Sequence, residues 1–122
     1  MSTKDLKALE RHFVEEWNKG KTAGMAAIDE IGAANAVFHA ANGEDIHGFE
    51  NIKRRFSEVY DTFPDSHMTL EDMVAEGDKL ALRYTVTGTH KDTHKKVTTS
   101  SIEICRIVNG KFVECWAARI GK

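Results

Sequence analysis

The 122 residues contain one proline, Pro64, and two cysteines, Cys105 and Cys115. So few cysteines exclude a small secreted scaffold held by disulfides. No apolar run approaches the roughly 20 residues that cross a bilayer, and the mean hydropathy is −0.43. The opening Met1-Ser2-Thr3-Lys4-Asp5 lacks an apolar signal core, so a cytoplasmic protein without a membrane partner is expected. Charge of one sign is also missing: 17 Lys and Arg face 19 Asp and Glu, a formal net charge of −2. That balance offers no basic groove to a nucleic acid. Neither Gly-x-Gly-x-x-Gly nor Gly-x-x-x-x-Gly-Lys occurs, so the usual nucleotide loops are absent. The serines lack a His/Asp arrangement and neither cysteine opens a helix, which leaves nucleophilic catalysis without support. His90 and His94 flank a tight hairpin without a helpfully spaced acidic ligand, so no metal is expected.

Residues 1–122 read as a single domain, without repeat, linker or low-complexity segment. Leu6, Leu9, Phe13 and Trp17 recur at helical spacing, with Ser2 or Thr3 as cap and Gly20 as stop. A short second helix is expected over Met25 to Ile31. Ala36 to His39 reads as a short strand, and Asn42-Gly43 turns into another extended segment ending near His47. Gly48 opens a third helix bearing Phe49, Ile52, Phe56, Val59, Tyr60 and Phe63, which Pro64 ends. Strands follow: Met68 to Ala75 and Lys79 to His90 around Gly77-Asp78, then Lys96 to Val108 and Lys111 to Arg119 around Asn109-Gly110. Helices followed by long antiparallel strands give an α+β class. The curled sheet would wrap the helices as a cone with a pocket at its open end.

A two-residue turn at Asn109-Gly110 would set Cys105 opposite Glu114 and Ile104 opposite Cys115. The thiols would then point to opposite faces of the sheet, as free packing residues. The Gly77-Asp78 turn would set Arg83 opposite Asp72, as a cross-strand ion pair. Arg106 precedes a turn, where a structural role is expected.

Glu16-Trp17-Asn18, Ile46-His47-Gly48, Phe63-Pro64-Asp65, Ala75-Glu76-Gly77-Asp78-Lys79, Thr87-Gly88-Thr89-His90 and Cys105-Arg106-Ile107-Val108-Asn109-Gly110-Lys111 occur in this order. Together they resemble the SnoaL-like polyketide cyclase family of the NTF2-like superfamily, over nearly the whole chain. The resemblance implies an NTF2-like cone, with three N-terminal helices packed on a curved antiparallel sheet. It also implies a homodimer and a cofactor-free pocket. In cyclases of this family a last-strand aspartate is acid and base in an aldol closure, and a histidine and a polar partner on the preceding strand stabilise the enolate. Carried over on Arg106 to Lys111, the histidine falls on Glu103, its partner on Ser101 and the aspartate on Ala117, whose methyl group cannot move a proton. The Lys91 to Lys96 segment is shorter than the family's usual stretch.

Glu103 interrupts Ile102 and Ile104 in a long strand. Facing inward, it would be a general base with a raised pKa; facing outward, it would share a polar face with Glu114. His39 ends a strand that lines the pocket in the family. It would either partner Glu103 across the cone or sit hydrogen-bonded at its strand end. Trp17 and Trp116 suit a flat or cyclic ligand, although Trp17 also continues the core stripe. Tyr60 and Tyr84 offer hydroxyls to an oxyanion, as in ketosteroid isomerase-like members of the superfamily. Ser101 and Ala117 complete the candidate pocket.

The expectation is a small-molecule pocket protein for an apolar or cyclic carbonyl ligand. Its chemistry would be cyclase- or isomerase-type proton transfer next to a carbonyl, with Glu103 as base and His39 assisting. The alternative is a non-catalytic apolar-ligand-binding or dimerisation module on the same fold. Epoxide-opening hydrolysis lacks the Asp-Arg-Asp set it would need.

Overall fold

The computed structural model describes residues 2–121. Helix α1 (Thr3–Trp17) begins with a reciprocal cap. The Ser2 hydroxyl accepts from the Asp5 N–H and the Asp5 carboxylate accepts from the Ser2 N–H, both at 3.1 Å. Its buried stripe is Leu6, Glu10, Phe13, Val14 and Trp17. Helix α2 spans Lys21–Ile31 and so begins before the expected Met25. It passes directly into β1 (Gly32–His39), longer than the expected Ala36 to His39. β2 (Asp45–His47), α3 (Phe49–Thr62), β3 (His67–Glu76), β4 (Lys79–Thr89), β5 (Lys96–Val108) and β6 (Lys111–Ile120) follow. Among the described residues, no helix is long and apolar enough to cross a membrane.

The helix order follows the sequence reading: α1 and α2 precede the first strand, and α3 follows β2, so the helices are not all N-terminal to the sheet. One expectation about the architecture needs correction: the sheet is not wholly antiparallel. Its order is β2-β1-β6-β5-β4-β3, and β1 runs parallel to β6. β1 reaches β6 from outside the hairpin series, so the direction alternation of the hairpins does not bind it.

Within the hairpins, Asp72 lies opposite Arg83 as expected, but the two form no ion pair, and the Asp72 carboxylate accepts instead from the Met73 N–H. The expected β5–β6 register does not hold. Val108 faces Lys111 as expected, but an irregularity between Arg106 and Ile107 shifts the rest. Cys105 therefore lies opposite Cys115, and Arg106 opposite Glu114. A bulge adds one residue to one strand and changes which side chains share a face. Both cysteines are buried, free and on the inner face.

Inward residues of β5 are Ser101, Glu103, Cys105 and Ile107, which alternate with the exposed Ile102 and Ile104. The inner face packs on the helices in two clusters. One joins Phe13, Trp17, Ile28, Tyr60 and Met68; the other joins Leu6, Leu80, Leu82, Cys105, Ile107 and Cys115. The outer face leaves Val74, Ile102, Ile104, Trp116 and Ile120 exposed. His39 lies there, paired in register with Trp116 and stacked on it at 5.4 Å.

Close packing of α2 on α3 depends on Gly24. A Cβ there would meet the Tyr60 hydroxyl oxygen at 2.1 Å, and that hydroxyl already donates to the Trp17 carbonyl at 2.6 Å. Gly24→Ala is expected to destabilise the fold by about 1–3 kcal/mol, measured as a lower urea midpoint at unchanged slope. A midpoint equal to wild type would contradict this packing account. His39 provides a pH test. Hydrogen bonds donated to Glu114 and Asp45 raise its pKa above 6.5, so its pairing contributes stability below the unfolded value and loses it as pH rises through the folded value. The stability gap between wild type and His39→Gln should therefore close as pH rises through that window, and a widening gap would refute the assignment.

Candidate functional site

Glu103 is held on the inner face by strand pairing on both sides, opposite Leu82 of β4 and Ala117 of β6. Its carboxylate accepts two hydrogen bonds, from the Tyr84 hydroxyl at 3.0 Å and from the Cys105 thiol at 3.0 Å. Burial raises its pKa, and the bonds from Cys105 and Tyr84 oppose the rise. The inward reading of Glu103 is thus the structural one; the outward position beside Glu114 is not adopted.

A second carboxyl group lies within the same interior. Glu10 of α1 is 4% exposed, and its Oε2 has no hydrogen-bond partner. Burial pushes its pKa well up, and the Glu103 charge adds to the rise. Among the described residues, no ion pair engages either acid. The Glu103 carboxylate and the Cys105 and Cys115 sulfurs lie within 4.8 Å of one another. Burial also pushes the Cys105 thiol well up, so neither its position nor its charge suits a nucleophile.

Two cavities open beside this cluster. The smaller, about 80 Å³, is lined by Glu10, Glu103, Glu114 and Cys115 among apolar side chains including Phe13, Phe38 and Phe56. The larger, about 380 Å³, is lined by Trp17, Tyr84, Ser101, Ala117 and Arg119 with apolar neighbours including Phe38 and Phe56. That volume suits a small ligand. Tyr84 thus connects the two: it lines the larger cavity, and its hydroxyl donates to the Glu103 carboxylate.

The structure brings Glu103, Tyr84, Ser101, Ala117 and Trp17 together and separates the other candidates from them. His39 is the main correction. It points to the outer face, where its Nδ1 meets Asp45 and its Nε2 meets Glu114, each at 2.7 Å. The alternation along β1 explains this: Phe38, opposite Cys115, faces in, so His39, opposite Trp116, faces out. It does not partner Glu103. Trp116 is 40% exposed on the same outer face and lines neither cavity. Tyr60 is also misplaced as a ligand contact. It is buried, stacked on Trp17 at 4.1 Å, and its hydroxyl is committed to the Trp17 carbonyl. Trp17 borders the larger cavity, but its Nε1–H donates to the Ser66 hydroxyl at 3.1 Å, which makes it chiefly a core residue.

Glu10 went unnoticed in the sequence, although a signal was there. It falls between Leu6 and Phe13 on the helical stripe that ends at Trp17, where a solvated acid would not sit. The Cys105–Cys115 juxtaposition had no comparable signal, because a bulge leaves no mark in turn chemistry.

Comparison with known proteins agrees with this architecture. No curated protein matches the sequence significantly. Among solved structures, AclR from Streptomyces galilaeus, provisionally described as a hydroxylase, has a TM-score of 0.82 at 26% identity, covering 97% of this chain and 90% of its own. TsrD from Streptomyces laurentii has a TM-score of 0.82 at 22% identity, covering 98% and 91%. IdmH from Streptomyces antibioticus, provisionally a polyketide cyclase, has a TM-score of 0.79 at 22% identity, covering 93% and 91%. The family profile described as SnoaL-like polyketide cyclase matches residues 7–119. The chain belongs to the SnoaL-like polyketide cyclase family.

Proposed function

We propose that the 380 Å³ cavity binds a small, largely apolar carbonyl compound and that the Tyr84–Glu103 pair moves a proton next to its carbonyl group. The observation that carries this reading is the 3.0 Å hydrogen bond that links a cavity-lining phenol to a buried carboxylate. In the forward step the substrate Cα–H proton passes to the Tyr84 oxygen as the Tyr84 proton passes to Glu103. The C–H electron pair becomes the enolate. The buried Ser101 hydroxyl, on the same cavity wall, is the donor for the enolate oxygen. Reversal of the relay onto another carbon gives isomerisation, and attack of the enolate on a second carbonyl gives ring closure. Family membership supports this class of chemistry, and so does the register. Glu103 stands directly beside Ala117 on the inner face, so a carboxylate is available one strand away from the residue that carries none.

Glu103→Gln and Tyr84→Phe are each expected to reduce turnover of cyclic enones or β-keto esters by about 100-fold or more with little change in KM. Proton–deuterium exchange followed by NMR gives the measurement. Ligand binding with no exchange in the wild type would favour the non-catalytic binding reading, and undiminished exchange in Glu103→Gln would remove Glu103 from the mechanism.

The homodimer belongs to the same proposal. Ile104 and Trp116 are 44% and 40% exposed, cross-strand neighbours on an outer face that also shows Val74, Ile102 and Ile120. An apolar surface of this kind on a sheet favours a second copy over water. Sedimentation should give a dimer for the wild type and a monomer for Ile104→Glu; a monomeric wild type would overturn it.

A further inference from the structure

We propose that Cys105, Cys115, Glu103 and Glu10 form a binding site for a thiophilic divalent cation of the zinc class. Three independent features converge on it. First, the bulge between Arg106 and Ile107 sets the two cysteines directly opposite each other on the inner face. Their sulfurs lie with the Glu103 carboxylate inside a 4.8 Å span. A tetrahedral zinc with two thiolates has donor–donor edges of about 3.8 Å, so the Cys105–Glu103 pair at 3.0 Å opens slightly as the thiol proton leaves, while the whole trio already lies inside 4.8 Å. Second, Glu10 brings a further carboxyl group to the same cavity, outside the 4.8 Å span of the trio, from which an ion held by the trio would draw it in as the fourth donor. Its Oε2 is buried without a hydrogen-bond partner, and the residue lines the same 80 Å³ cavity as Glu103 and Cys115. An orphaned carboxyl oxygen in an apolar interior is costly unless something meets it. Third, no cationic side chain does so: among the described residues, no ion pair reaches Glu10 or Glu103.

The donor set selects the ion. Two sulfurs disfavour calcium and magnesium, which take oxygen ligands, and four mixed S and O donors fit a closed tetrahedral site. Binding exchanges the two thiol protons for the metal, and both protons leave to solvent with no change of oxidation state. The cavity beside Cys115 and Glu103 gives the ion room. The site stands independently of the proton-transfer reading and competes with it. A bound cation occupies the Glu103 carboxylate, so the relay belongs to the metal-free chain.

Cobalt(II) is the probe. Added to the reduced, metal-free protein, one equivalent should produce a thiolate-to-cobalt charge-transfer band in the near ultraviolet, with the intense visible bands of tetrahedral cobalt. Cys105 and Cys115 are the chain's only cysteines, so a band with the intensity of two thiolates identifies both without any variant. Glu10→Gln, which keeps the side-chain shape, should weaken cobalt affinity at least tenfold while far-ultraviolet circular dichroism stays unchanged. Absence of the charge-transfer band in the folded wild type overturns the site. Undiminished affinity in Glu10→Gln overturns the fourth donor. Zinc should displace the cobalt spectrum and raise the melting temperature of the wild type, and failure to displace it also counts against the proposal.

Discussion

Placing an acid on the apolar inner face of β5 imposes a constraint that the surrounding structure meets piece by piece. Glu103 lies between Leu82 and Ala117, over helices whose facing side chains are largely apolar. An isolated carboxylate in such a place would be strongly disfavoured. Tyr84 from β4 and Cys105 from the same strand each direct a hydrogen at it. Those contacts hold the phenol hydroxyl and the thiol beside the carboxylate, while Cys105 remains part of the packed core. Ser101 and Ala117 follow from the same alternation, because an inward Glu103 makes its neighbours two residues away, and its partner across the strand pair, inward as well.

Much of the fold was legible because its signals are local. The α1 stripe, the Pro64 stop and the Gly77-Asp78 and Asn109-Gly110 turns each depend on residues within a few positions of one another. The β1–β6 pairing is not local. It joins residues some 80 positions apart, such as Phe38 and Cys115, and runs parallel, so no turn announces it. Site legibility divides along the same line. Glu103 stands out because a charged residue between two isoleucines is conspicuous. For His39 the sequence leaves a pocket position and a hydrogen-bonded strand end both open, because its side depends on how β1 meets β6, and a one-residue difference in register exchanges the two faces of a strand.

The outer face shows the same parity put to another use. His39, stacked on Trp116 and held by Asp45 and Glu114, forms a polar patch at the edge of an apolar surface. It ties β2 to β6 across β1 through side chains, where the backbone pairs only adjacent strands. The short β2 is thereby fastened to the centre of the sheet, although only three of its residues pair with β1.

Phe38 and Phe56 meet edge to face at 5.8 Å and border both cavities. The two spaces are therefore not independent compartments. Rotation of either ring toward one enlarges the other, much as a shared partition moves between two rooms. A bulky occupant on the Tyr84 side and an ion on the Glu10 side would press on the same pair of rings from opposite directions. The rings thus add a packing contact to the polar one that Tyr84 and Glu103 already make between the two spaces.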